Sequence, residues 1–139
     1  MKQNQSLDNL RDSIMRGDVD AVARIIKSDP TVLSNTTDHN RYPLIIAAIN
    51  GNVEIVKMFL DGGMSVNFTD GDGWTPLHCA AFNGNFDAVK LLVEYGGDIT
   101  ICNKYGSTPF DLCSNNERVD VVGDFDSIYE YLKLCERIQ

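Results

Sequence analysis

The chain has 139 residues, long enough to bury its own core and short for two full domains. Hydrophobic residues make up 43% and charged residues 23%, an ordinary globular balance that is too apolar for a disordered segment. Twelve Lys and Arg against 20 Asp and Glu leave a net charge of −8, which argues against a phosphate-backbone binder and against docking on an anionic membrane.

Nothing approaches the roughly 18 apolar residues of a spanning helix, and the polar start, Met1-Lys2-Gln3-Asn4-Gln5-Ser6, does not read as a secretory signal. Cys79, Cys102, Cys113 and Cys135 are therefore expected as reduced thiols in a cytoplasmic or nuclear setting. Two helices are expected first, over residues 7–16 and 19–28, with Pro30 ending the second. Between them, Gly17-Asp18-Val19-Asp20 parallels Gly51-Asn52-Val53-Glu54.

Residues 41–73 and 74–106 then align without a gap. Pro43/Pro76, Leu44/Leu77, Ala47/Ala80, Ala48/Ala81, Asn50/Asn83, Gly51/Gly84, Asn52/Asn85, Val56/Val89, Lys57/Lys90, Gly63/Gly96 and Gly73/Gly106 are identical. Chance does not give this density at one fixed offset. Each unit has the same punctuation. Thr75 and Thr108 stand where a hydroxyl can cap a helix, and Pro43, Pro76 and Pro109 stand at the first helical position. Paired alanines allow close approach of a short helix. Gly51 and Gly84 end that helix in a left-handed conformation. A second, amphipathic helix follows and stops at Gly63 or Gly96. Residues 65–72 and 98–105 turn back as a projecting loop or hairpin. The last unit opens with Ser107-Thr108-Pro109-Phe110 but has Glu117 in place of the turn glycine, so residues 115–124 are expected as a longer loop. Residues 126–137 read as the closing helix, capped by Asp126, with Ile128, Tyr131, Leu132 and Cys135 on its buried side.

The stretch GWTPLHCAA over residues 73–81, with Gly63-Met64-Ser65-Val66-Asn67 before it, resembles the repeats of the ankyrin-repeat proteins over nearly the whole chain. The resemblance implies an all-α solenoid of about four helix–turn–helix repeats, with projecting loops or short β-hairpins. As a single domain over residues 1–139 it divides into a cap repeat (7–40), two inner repeats (41–73 and 74–106) and a closing repeat (107–139). It also implies a concave binding surface lined by loop tips and first helices. Carried over position by position, that stripe is Asp38, His39, Arg41, Ile49 and Asn50, then Gly71, Asp72, Trp74, Phe82 and Asn83, then Lys104, Tyr105, Ser107, Asn115 and Asn116. The partner contacts expected from it are Arg41, Ile49, Asp72, Trp74, Phe82, Asn83, Lys104 and Tyr105. The aromatic three, Trp74, Phe82 and Tyr105, are candidate anchors worth about 2 kcal/mol each, or else packing for the adjacent loop and helix pair.

Chemistry is not legible. His78 occupies the signature histidine, whose implied work is hydrogen bonding between loops, and His39 is expected in an exposed loop. No Cys-x-x-Cys pair suggests zinc, no Gly-x-Ser-x-Gly elbow suggests a nucleophile, and no phosphate loop follows Gly71-Asp72-Gly73. The expectation is a non-enzyme with no metal and no cofactor. The acidic run from Glu117 to Glu130 reads as a solvated cap or as a surface for a basic peptide.

A closer similarity lies with the apoptosis-stimulating ASPP family, on the nonapeptide at 73–81, on Asp29-Pro30, and on a tail with Cys113, Gly123, Tyr129, Tyr131 and Leu132. That resemblance implies a tumour-suppressor transcription factor or the type-1 serine/threonine phosphatase as partner, and a role in apoptosis or transcription. Myosin-phosphatase targeting subunits have similar repeats. Neither Arg118-Val119-Asp120-Val121 nor Ser65-Val66-Asn67-Phe68 completes a basic–Val–x–Phe docking motif. The expected function is protein binding, with a phosphatase-targeting subunit or an assembly unit as alternatives, and with neither nucleic-acid binding nor membrane insertion.

Overall fold

The computed structural model describes residues 2–34, 42–114 and 123–138. Helices α1 (Lys2–Arg16) and α2 (Val19–Ser28) come first, followed by a short 3-10 turn at Pro30–Leu33. They are succeeded by α3 (Tyr42–Asn50), α4 (Val53–Asp61), α5 (Pro76–Phe82), α6 (Phe86–Glu94), α7 (Pro109–Ser114) and α8 (Phe125–Ile138). No strand occurs among the described residues.

The helices stack in two layers. In one, α1 packs on α3, α3 on α5 and α5 on α7; in the other, α2 packs on α4, α4 on α6 and α6 on α8. This is the all-α solenoid the repeats imply. The core between the layers is one continuous cluster. It contains Leu10 and Ile14 of α1, Val22 of α2, Leu44 of α3, Phe59 of α4, Leu77 of α5, Leu92 of α6, and Ile128 and Leu132 of α8. Burying each of these side chains is worth about 1.5–3 kcal/mol. Ala47, Ala48, Ala80 and Ala81 are also buried, so adjacent first helices meet with little side chain between them.

Helix starts follow from side-chain oxygens. Asp18 accepts from the Ala21 N–H at 3.1 Å and Asn52 from the Ile55 N–H at 3.1 Å. Thr75 and His78 form a reciprocal box on α5. Thr108 and Asp111 form one on α7, with the Thr108 N–H donating to Asp111 at 3.0 Å and the Asp111 N–H to Thr108 at 3.3 Å. Asn85 breaks the pattern and makes no cap bond of its own. Its amide instead donates to the Ala48 and Ile49 carbonyls at 2.8 and 2.7 Å, satisfying the end of the preceding repeat's first helix. Gly51 sits against it with φ +73°, and a Cβ there would lie 2.7 Å from Asn85 Cγ.

Four expectations change in detail. Helix α1 begins at Lys2, not at residue 7. Helix α3 begins at Tyr42, so Pro43 stands second in it. Helix α8 begins at Phe125, which places Asp126 inside the first turn; the Asp124 carbonyl accepts the Ile128 N–H at 3.1 Å, and Phe125 is buried. Of the side chains assigned to its buried face, Ile128 and Leu132 are fully enclosed while Tyr131 and Cys135 are only half-buried at its edge. Of the two alternatives for the projecting segments at 65–72 and 98–105, loop or hairpin, the structure has loops built from turns, with no strand in either. Most of the loop expected at 115–124 lies outside the described residues.

Candidate functional site

Each projecting loop is organised by one side chain. Asp70 Oδ1 accepts the Asp72 and Trp74 N–H groups at 2.9 and 3.0 Å. One repeat later, Asn103 Oδ1 accepts the Tyr105 and Ser107 N–H groups at 2.9 and 3.1 Å. The loops are joined edge to edge, the Lys104 N–H donating to the Asp72 carbonyl at 2.9 Å. Further back, the Asn67 amide donates to the Gly96 carbonyl at 3.1 Å and accepts the Asp98 N–H at 2.8 Å.

His78 ties loop to helix. Its ring is fully buried. Nδ1 accepts the Thr75 N–H at 3.1 Å, which leaves Nε2 as the donor to the Ser107 carbonyl at 2.9 Å. Burial holds its pKa below the ordinary histidine value, against the raising effect of the Ser107 hydrogen bond. A neutral histidine already bonded at both nitrogens is a structural tie.

Trp74 follows this loop and packs partly against the core. Its ring meets Phe82 edge-on at 5.2 Å between centroids and lies 6.0 Å from the His78 ring. Both Trp74 and Phe82 are half-buried. They stand in a groove of about 450 Å³, of the size that holds one or two large side chains. Ile49, Asp72, Asn83 and Tyr105 line it with them, as do Ile45, Asp70 and Cys79. Tyr105 is 68% exposed and Ile49 42%, so both present apolar surface to solvent.

Six of the eight expected contact residues thus line one groove: Ile49, Asp72, Trp74, Phe82, Asn83 and Tyr105. Lys104 stands at its rim, its ammonium 2.8 Å from Asp72. Arg41 lies outside the described residues, as do Asp38, His39, Asn115 and Asn116. Asn50 turns elsewhere, donating to the Ile14 carbonyl at 3.4 Å. In the acidic run, Asp124, Asp126 and Glu130 are exposed on and before α8; Glu117, Arg118 and Asp120 lie outside the described residues. Three lining residues escaped the sequence. Ile45 pairs with the buried His78 in the repeat alignment, a position that carries no sign of facing a groove. Asp70 lies two residues from Asp72 in the Asp-Gly-Asp-Gly run, the signal that could have found it. Cys79 is buried, and burial pushes its thiol up to about 12, so it contributes surface and no nucleophile.

No group of three or more His, Cys, Asp or Glu side chains is placed to hold a metal ion, and no helix is long and apolar enough to cross a membrane, among the described residues.

A family model described as ankyrin repeats in three copies matches residues 10–103 and 63–123. The E3 ubiquitin-protein ligase XB3 of Oryza sativa subsp. japonica is 42% identical over 48 residues. That match takes in 34% of this chain and 11% of the rice protein.

Proposed function

The chain belongs to the ankyrin-repeat family, and we propose that its groove between the loop tips and the first helices is where it binds another protein. Ankyrin repeats generally mediate protein–protein interaction and are typically non-catalytic. The observation that carries the reading is the convergence of Ile49, Trp74, Phe82 and Tyr105, from two successive repeats, on one open apolar groove. Aromatic anchors beside polar rim groups are the usual composition of an interface centre.

Affinity capture with the wild type beside Ile49→Gln and Phe82→Ala tests it. Ile49 is exposed, so Ile49→Gln leaves the melting temperature in place, whereas Phe82→Ala loses an edge contact with Trp74 and is paired with a melt. At least one protein is expected to be held by the wild type and lost from both variants. Identical capture by all three, with the variants folded, overturns the reading.

The nonapeptide at 73–81 supports a narrower reading, an ASPP-like regulator of apoptosis or transcription, with a targeting subunit of the type-1 phosphatase as its alternative. Titration of purified phosphatase with the chain is expected to change its activity or form a complex under the second of these. Unchanged activity with no complex discards it. An assembly unit would show concentration-dependent sedimentation. The proposed setting is the cytoplasm or nucleus, where four free thiols persist. Ligase activity is not carried over from the rice relative, because the match reaches so little of that protein.

A further inference from the structure

The protein-binding reading of the groove leaves its occupant unnamed, and the inference that follows rests on that reading. The floor, from Ile45 and Ile49 to Trp74 and Phe82, is apolar; the charged groups lining it are Asp70 and Asp72, with no cation among the lining residues. One cation of the chain itself has settled at that rim. The Lys104 ammonium lies 2.8 Å from Asp72 Oδ1 and 5.1 Å from the centre of the Tyr105 ring. A carboxylate and an aromatic face are the two groups that recognise a cation, and here they converge on one point. Asp72 and Lys104 are both about half exposed, so little holds that pair together against a competitor. The charge of Asp70 extends to the floor, where it adds to burial in raising the Cys79 thiol. A net charge of −8 extends the same field over the molecule and speeds the approach of a basic partner.

We propose that the groove takes an extended segment of a partner protein bearing a large apolar residue beside an arginine. The apolar side chain seats among Ile49, Trp74 and Phe82. The guanidinium lies on Tyr105 against Asp72, in the position Lys104 holds in the free chain. Arginine fits better than lysine because its planar fork pairs with both carboxylate oxygens and stacks on a ring. Lys104 is thereby an internal competitor for the partner's cation.

A phage-displayed library of random dodecapeptides selected on the full chain, with the winners remade as dye-labelled peptides and titrated by fluorescence anisotropy, tests this. Selected peptides are expected to pair a large apolar residue with arginine. The double variant Asp70→Asn/Asp72→Asn is expected to bind them about tenfold more weakly, and raised salt to narrow that gap by screening. Asparagine keeps the loop-forming acceptor, as Asn103 does one repeat later. Lys104→Ala is expected to tighten binding, a result that a merely structural Lys104–Asp72 tie would not give. Groove-bound peptides with neutral or acidic sequences, undiminished binding by the double variant, or weaker binding by Lys104→Ala overturn the arginine inference and leave the groove standing as a binding site. Selected peptides that bind Ile49→Gln and Phe82→Ala as well as they bind the wild type overturn both.

Discussion

Asn103 holds its loop with one half of its amide. Oδ1 accepts two backbone N–H groups, while Nδ2 is buried with no hydrogen-bond partner among the described residues. A buried unpaired donor costs about 1–3 kcal/mol. Asp70 does the same work with a carboxylate, which has no donor to strand. Asn103→Asp is therefore expected to raise stability by about 1 kcal/mol, read as a higher urea midpoint at unchanged slope; a lower midpoint would mean that burial of the new charge outweighs the gain. His78 makes the opposite kind of demand. Its pKa is lowered by burial, so the unfolded chain takes up a proton before the folded chain does. Stability from this residue is intact above the ordinary histidine value of 6.5 and falls as the pH drops below it. A melting-temperature profile from pH 7.5 to 5.5 is expected to decline, and His39→Gln is expected to leave that decline in place. A flat profile would show that His78 carries no such linkage.

Among the elements, α8 closes the stack through one contact that tolerates nothing larger than glycine. Gly84 has φ +72°, and a Cβ on it would lie 2.5 Å from the Gly123 Cα. The Asp124 N–H donates to the Gly84 carbonyl at 2.9 Å, so the same residue ends α5 and receives the chain as it enters α8. Gly84→Ala is expected to cost more than the roughly 1–2 kcal/mol of a left-handed non-glycine residue, because the clash is with backbone and no side chain can yield. Chemical denaturation reads the loss, and a change under about 1 kcal/mol would show that the contact relaxes freely. On α8 itself, Leu132 is fully buried and Leu134 is exposed. Leu132→Ala is expected to cost about 2–5 kcal/mol and Leu134→Ala almost nothing. Equal effects would mean that α8 does not face the core as described.

At the scale of the molecule, the main contacts of each helix pair among the described residues are with its neighbours, so stability is a chain of nearest-neighbour terms. Loss of the α8 anchor should then open the molecule from that end. In Leu132→Ala, amide protection is expected to fall first in α7 and α8 and to persist in α3 to α5, by native-state hydrogen exchange. Uniform loss would show a single cooperative unit.

The sequence by itself determined the repeat and the helix boundaries to within a few residues, because these depend on local signals that recur at fixed spacing: a capping hydroxyl, a proline in the first turn, a glycine that must turn left-handed. Residues drawn from loop tips and first helices also pointed to one face. Tertiary structure decided the rest, since grooves form between repeats and not within them. It brought Ile45, Asp70 and Cys79 to the same opening, turned Asn50 away from it, set the Asn85 amide on the helix end of the repeat before it, and set Lys104 between Asp72 and Tyr105. Each of those outcomes depends on which side chains two neighbouring units bring within contact distance, a relation that a period along the chain does not encode.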